Sequence, residues 1–358
     1  MSKKRLLGTL LSVIITVYIL FGFYLYTFQN KFLYPADKTA FDICPELEKS
    51  EKISAGLFRG YFTKRSEDKV IVYYHGNGGR ACDRSFMDSF FGELGYSTLF
   101  VEYPGYAEIG VLTSMENILD EVLLVNEFIN NKKFKDIVVV SESVGTGPSA
   151  YHARLPGSNI SKLILITPYN DMAGVAFRSF PLYPMSILVK DNFTPGIWLR
   201  SSTVPITVIL AENDEVIGMK EGKKLFKNIV SENKQVRTIK EAGHNSIYQK
   251  PDLYLILKES TLSGQNEQIN YSPQAGSAPL NVNFYLSRTD GDDDGVYYTI
   301  VFGDGEAGGF PRNSISTISH TYKSSGTYKA VVTRRTECSS WECLGESKEI
   351  KTLDITVR

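Results

Sequence analysis

Three residues of this chain have the types, and the order along it, of a nucleophile and its proton relay. The apolar run Ile137-Val138-Val139-Val140 leads into Ser141-Glu142-Ser143-Val144-Gly145-Thr146-Gly147. That pattern reads as a strand, a sharp turn and a helix, with Ser143 at the apex. Backbone and helix crowd each other at such a turn, so the positions two before and two after the serine must be small. Gly145 supplies one and Ser141 the other, while Gly147 lets the helix pack closely. A serine needs a base to take its proton, and the base needs an acid to hold it. In this strand–turn–helix arrangement the order is serine, acid, histidine. The run 206–210 leads to Asp214, and the run 236–240 leads to Ala242-Gly243-His244. The chain has 4 histidines. His75 sits in a glycine-rich loop, His152 on the helix after Ser143 and His320 in the C-terminal section, which leaves His244. Glu212 and Asp171 are lesser candidates for the acid. The plain alternative is a turn whose serines cap a helix, with Asp214 a cap or surface charge and His244 a loop residue.

A developing oxyanion needs hydrogen-bond donors. After the apolar run 70–74 comes His75-Gly76-Asn77-Gly78-Gly79. Glycine-rich backbone can turn its N–H groups toward such a charge. The expected donors are the backbone of Asn77 or Gly78 and the backbone N–H of Val144. No phosphate-cradling G-x-x-x-x-G-K-[ST] or G-x-G-x-x-G is present, and no Cys/His cluster has zinc spacing. Neither a cofactor nor a metal is therefore expected.

The elements that would hold these residues alternate. β-rich runs fall at 56–63, 69–75, 96–103, 136–141, 162–167, 206–211 and 235–241. Most are continuously apolar, as in strands buried on both faces. Helical patterns separate them, the clearest with Ile118, Val122, Val125 and Ile129 on one stripe. This predicts an α/β domain, a mostly parallel sheet with helices on both faces, whose chemistry sits at the carboxyl ends of the strands. The 167–206 connection is too short for a large lid domain. Its apolar residues Phe177, Phe180, Leu182, Tyr183, Pro184, Met185, Ile187 and Leu188 are expected chiefly as core, with an acyl-binding wall as the alternative.

His75-Gly76-Asn77-Gly78-Gly79, Tyr103-Pro104-Gly105-Tyr106, Ser143-Val144-Gly145-Thr146-Gly147, Asp214 and Gly243-His244 resemble the α/β-hydrolase superfamily. The nearest branch is that of membrane-anchored serine hydrolases with an H-G-N-[AG]-G loop, which the stretch Phe28-Gln29-Asn30-Lys31-Phe32-Leu33-Tyr34-Pro35 also resembles. The likeness spans roughly residues 1–260. It implies the α/β-hydrolase fold, a Ser143–His244–Asp214 triad, and hydrolysis of esters or thioesters, including lipid or acylated substrates, through an acyl-enzyme. The departures are Ser141 for the usual glycine and Tyr-Pro-Gly-Tyr-Ala for Tyr-Arg-Gly-Tyr-Gly. Two rival readings stay open: a peptidase or amidase of the same fold, and an inactive surface binding protein.

Residues 6–28, opening at Leu6 and closing at Phe28, carry no charged side chain. A helix of that length spans a hydrocarbon core of about 30 Å. Lys3, Lys4 and Arg5 precede it, so the positive-inside rule places the N-terminus in the cytoplasm and the body outside. A signal peptide, the rival, has a shorter apolar core and a small-residue cleavage site. The expected division is anchor 1–28, hydrolase 29–262 and C-terminal section 263–358. Across all 358 residues the net charge is −1, with no basic excess for gripping nucleic acid. Of the 4 cysteines, Cys338 and Cys343 are expected to pair across a short loop, and Cys44 and Cys82 to form the other bridge.

The stretch 260–280 is rich in Ser, Gly, Gln, Asn and Pro and reads as a linker. Short β-rich runs follow at 282–286, 296–302, 314–321, 328–333 and 349–357, the signature of a β-sandwich. Ala278-Pro279-Leu280, Phe302-Gly303-Asp304-Gly305, His320-Thr321-Tyr322 and Gly326-Thr327-Tyr328 resemble the PKD family of Ig-like domains, with Ile300 in place of the usual Trp. The resemblance implies a spacer or a contact surface for glycan or protein, with His320 structural. Asp290, Asp292 and Asp294 open like a calcium loop, but Val301 stands where an EF-hand needs its bidentate acid, so a solvated turn is expected.

Overall fold

In a computed structural model, residues 3–107, 110–231, 233–262, 268–287, 296–310, 315–336 and 347–358 are described. The chain forms two compact units, 1–254 and 255–358.

The first unit opens with α1 (Lys3–Leu33), a helix of 31 residues. It is the one helix among the described residues long and apolar enough to cross a membrane. It extends five residues beyond the expected Phe28 end, because Gln29 and Asn30 find backbone partners at Leu188 and Thr113.

Eight strands follow: β1 (Glu51–Ala55), β2 (Phe58–Thr63), β3 (Lys69–Tyr74), β4 (Ser97–Glu102), β5 (Asp136–Glu142), β6 (Lys162–Ile166), β7 (Ile206–Ala211) and β8 (Lys234–Ile239). They form one sheet in the order β1-β2-β4-β3-β5-β6-β7-β8. The first two joints are antiparallel and the rest parallel. β1 is a strand the sequence reading passed over, since only Ile53 of it is buried. The central strands are fully enclosed, as their unbroken apolar runs required.

The helices are α2 (Phe86–Glu93), α3 (Met115–Lys132), α4 (Thr146–Arg154), α5 (Met172–Ser179), α6 (Met185–Leu188), α7 (Pro195–Trp198), α8 (Met219–Asn228) and α9 (Pro251–Leu262). In α3, Ser114 caps the first turn by accepting from Asn117 N at 3.2 Å. Its predicted stripe Ile118, Val122, Val125 and Ile129 is buried against the sheet core. Cys44 and Cys82 form a disulfide, Cα–Cα 5.8 Å.

The apolar connection between β6 and β7 departs from its expectation. Met185 is buried, but Phe177, Leu182 and Ile187 are 52%, 80% and 77% exposed. Phe177 lies on α5, Ile187 on α6 and Leu182 in the turn between them.

The second unit is a β-sandwich. One sheet has the order β14-β11-β9 and the other β10-β16-β15-β12-β13. The strands are β9 (Gln268–Ser272), β10 (Ala275–Gly276), β11 (Leu280–Ser287), β12 (Val296–Val301), β13 (Ala307–Gly309), β14 (Ile315–Tyr322), β15 (Gly326–Thr336) and β16 (Ser347–Val357). The expected linker is thereby corrected. Its first residues complete α9, and its polar second half supplies β9 and β10, where β9 gains its partner in β11 and buries Ile269. Ile300 is enclosed in the core with Phe284, Phe302 and Tyr322. His320 stacks on Phe302 at 4.0 Å and meets Asp304 Oδ2 at 2.7 Å. The Cys338–Cys343 pairing and the Asp290–Asp294 turn lie outside the described residues.

Candidate active site

β5 ends on Glu142 in extended conformation, and the next residue, Ser143, has φ +49°. A left-handed serine is strained and persists only where its surroundings enforce it. Here Thr146 Oγ1 donates to Ser143 O at 2.7 Å as α4 begins. A Cβ on Gly145 would stand 2.4 Å from Tyr74 O and 2.8 Å from His75 O, so only glycine fits. Ser141, in place of the usual glycine, is accommodated differently. Its Oγ lies 2.8 Å from Ser149 Oγ on α4, and both residues are buried. The hydroxyl that departs from the pattern is thus a satisfied link between strand and helix.

His244 follows β8 and brings Nε2 to 3.0 Å from Ser143 Oγ. Its Nδ1 lies 3.0 Å from each oxygen of Asp214, which follows β7. All three side chains are buried. Asp214 Oδ1 also accepts from Val216 N at 3.0 Å and Ile217 N at 2.9 Å. Burial alone would raise its carboxyl. His244 and the backbone N–H groups of Ile217 and Gly218 outweigh burial and hold it below the usual carboxylate range. With Nδ1–H donating to that carboxylate, Nε2 is left as the acceptor for the serine proton. Glu212 and Asp171 serve elsewhere. Glu212 accepts from Glu241 N at 2.9 Å, while Asp171 caps α5 and pairs with Lys224 at 3.0 Å.

The loop after β3 is clamped by side-chain donors. Tyr103 Oη donates to His75 O at 2.6 Å, and His75 Nδ1 lies 2.7 Å from Gly76 O. Tyr106 Oη donates to Asn77 O at 2.9 Å, and Arg84 to Gly78 O at 3.2 Å. A trans peptide carries its N–H opposite its carbonyl. Fixing the carbonyls of Gly76 and Asn77 therefore fixes the N–H groups of Asn77 and Gly78 on the other side. Two of these clamps come from Tyr103 and Tyr106, which keep the family pattern while Pro104 and Ala107 depart from it.

The sequence reading gave no role to Glu142. Its carboxylate accepts from Gly76 N at 2.7 Å, Arg84 Nε at 2.6 Å and Tyr73 Oη at 3.3 Å, and also from Tyr248 Oη. One acid thus ties the serine turn, the glycine loop and the histidine loop together. Burial opposes its ionisation, but Arg84, Tyr248 and Gly76 N hold its pKa below the usual value. The signal was present as an acid enclosed between two serines; its partners are scattered over the chain. Ser143, His244, Asn77, Gly78, Glu142 and Arg84 are among the residues lining a cleft of about 430 Å³. His152 is remote from the relay. It is fully enclosed beside Tyr74 Oη at 3.0 Å, and burial pushes its pKa down to about 3.

Such an arrangement can deprotonate a serine and present backbone donors to a substrate carbonyl. A PKD-domain family profile matches residues 267–340. An alpha/beta hydrolase of Acanthamoeba polyphaga mimivirus is 28% identical over 194 residues, which are 51% of this chain and 69% of the viral protein. The lysophosphatidylserine lipase ABHD12 of Rattus norvegicus is 25% identical over 227 residues, 54% of this chain and 56% of the lipase. The chain thus spans little more than half the length of that relative. An esterase of Pyrococcus furiosus superposes with TM-score 0.51 at 17% identity, covering 63% of this chain and 98% of the esterase. This is a protein of the α/β-hydrolase fold. It carries a C-terminal PKD domain, and both resemblances read from the sequence are borne out.

Proposed function

We propose that the protein is a serine hydrolase of carboxylic esters or thioesters, held in a membrane by α1. The observation that carries this is the chain of 3.0 Å contacts from Ser143 through His244 to Asp214. Ser143 Oγ attacks the acyl carbon while its proton passes to His244 Nε2. The tetrahedral oxyanion forms against the backbone N–H of Val144 and those of Asn77 or Gly78. His244 then returns the proton to the leaving alcohol or thiol, leaving an acyl-Ser143. Water, deprotonated by the same nitrogen, releases the acid. Asp214 fixes the tautomer and stabilises the imidazolium.

The lipase name of the rat relative favours an acyl lipid as substrate. For the membrane, the support is α1 with Lys3, Lys4 and Arg5 at its start, a charge placement that favours an inside N-terminus and an outside body. The Cys44–Cys82 disulfide fits an oxidising compartment. The PKD domain is assigned a spacing or contact role toward glycan or protein.

The test is labelling by a fluorophosphonate. Wild type is expected to label and Ser143→Ala to remain unlabelled; equal labelling of the two sinks the assignment. A panel of acyl esters, thioesters and aminoacyl amides separates the ester reading from an amidase. Ester turnover by full-length protein is expected to be lost in His244→Ala.

A further inference from the structure

The turn between α5 and α6, next to the exposed apolar residues, stands beside α1 at a defined level. Tyr18 stacks on Tyr183 at 4.4 Å between ring centroids, and Phe21 meets Phe180 at 6.1 Å. A Cβ on Gly22 would come within 3.0 Å of the Tyr183 ring, so the helix lies close against the connection here. Nearer the end of α1, contacts with the charged residues Lys190 and Asp191 join the apolar ones. Lys190 Nζ sits 4.0 Å from the Tyr26 ring centroid, Gln29 Oε1 accepts from Lys190 N at 2.7 Å, and Tyr34 donates to Asp191 at 2.9 Å.

This gradient can be compared with a bilayer. About 20 helical residues cross a hydrocarbon core of about 30 Å. Counted from Leu6, just after the three basic residues, that crossing ends near Leu25. The contacts of Tyr26, Gln29 and Tyr34 with Lys190 and Asp191 therefore start where the hydrocarbon stops. Tyr18 lies eight residues deeper than Tyr26, about 12 Å at 1.5 Å per residue. Residues 180–183 are held at that depth.

We propose that the exposed apolar side chains of the segment 177–187, Phe177 on α5, Leu182 in the turn and Ile187 on α6, are immersed in the acyl chains of the leaflet that faces the hydrolase body. The occupant of this apolar surface is lipid. The proposal rests on α1 being a membrane span. Hydrogen bonding supports it independently. Tyr18 Oη donates to Leu182 O at 2.7 Å, and Tyr183 Oη donates to Tyr18 O at 3.0 Å. Polar groups in hydrocarbon need internal partners, whereas exposed ones are satisfied by water. The embedded segment also reaches the site: Arg178, at the end of α5, donates to Asp214 O at 3.1 Å. Immersion would thereby bring lipid close to the element that holds Asp214.

The experiment uses full-length protein in phosphatidylcholine vesicles, with and without lipids brominated along the acyl chain. Single variants Leu182→Trp and Ile187→Trp each add a fluorophore at an exposed position, and Leu20→Trp serves as the reference on α1. Emission of the unsubstituted protein is subtracted. The expected result is at least about twofold quenching of the added emission at Leu182 and Ile187, comparable with that at Leu20. Quenching at Leu20 with none at Leu182 and Ile187 overturns the immersion and leaves the span intact. No quenching at Leu20 removes the span itself, and the immersion with it.

Discussion

Arg84 Nε donates to Glu142 Oε1 over 2.6 Å, one residue before Ser143, the proposed nucleophile. Burial alone would discharge both groups. Each instead keeps its charge through the other, with Glu142 lowered and Arg84 raised from their ordinary values. Removing one partner of a buried pair leaves the other uncompensated, at about 3–5 kcal/mol. Glu142→Ala is therefore expected to lower stability by about that amount in urea unfolding. Glu142→Gln keeps the shape and loses the charge. It is expected to reduce kcat more than it raises KM, because Gly76 N and Tyr248 belong to the loops of Asn77 and His244, the proposed oxyanion donor and base. Unchanged stability in both variants would show the pair to be dispensable.

The serine turn makes a contrast between two small residues. Gly145→Ala drives a methyl to 2.4 Å from Tyr74 O, against backbone that has nowhere to move. Loss of fluorophosphonate labelling, or of folded protein, is the expected outcome. Ser141→Gly restores the usual family residue and removes one buried hydroxyl, while Ser149 Oγ keeps its bond to Thr146 O at 3.2 Å. A cost of about 1 kcal/mol and retained labelling are expected. Equal behaviour of the two variants would contradict this account of the elbow.

Asp214→Asn tests the tautomer. The amide would present its NH2 group or its carbonyl to His244 Nδ1, and it cannot stabilise an imidazolium. A fall in kcat on the order of 10⁴ with KM changed only a few-fold is expected in steady-state ester hydrolysis. Because the Asp214 carboxyl is held below its ordinary range, it stays ionised as pH falls through that range. Its stabilising contribution is present above the unfolded value and disappears only below the folded one. A loss under about tenfold in Asp214→Asn would move the acid's role elsewhere.

Much of the site could be read from residues that follow strand ends. Ser143 and Asp214 each come just after an apolar run and His244 after a β-rich one, and the parallel sheet must bring such ends to one edge. The clamps were hidden because Tyr103, Tyr106, Arg84 and Tyr248 meet the loop only through tertiary folding. Two errors have a common physical source: local composition does not say what covers a residue. Phe177, Leu182 and Ile187 read as core since apolar character is the same whether protein or lipid lies opposite. Residues 268–276 read as linker since short polar strands owe their order to pairing with β11 and β16 rather than to side chains.

Buried titratable groups give the fold opposing pH dependences. His152 is neutral in the folded chain, with its pKa pushed down to about 3 from 6.5. Unfolded chains bind that proton first, so this group costs stability as pH falls below about 6.5, at roughly 1.4 kcal/mol per unit. Glu121 acts in the other direction. It is fully buried in α3; Oε1 accepts from Arg59 N at 3.3 Å, and Oε2 has no hydrogen-bond partner among the described residues. Burial, with a contribution from Glu102, raises its pKa well above the ordinary value. The folded state then holds a proton that the unfolded chain releases above about pH 4.5, and stability declines as pH rises through that window. Glu121→Gln removes the decline while keeping an acceptor for Arg59 N. The variant is expected to melt at a higher temperature than wild type at pH 7.5 and to lose that advantage at pH 4. A variant that gains nothing at pH 7.5, or gains equally at both, would show that Glu121 is not held protonated in the fold.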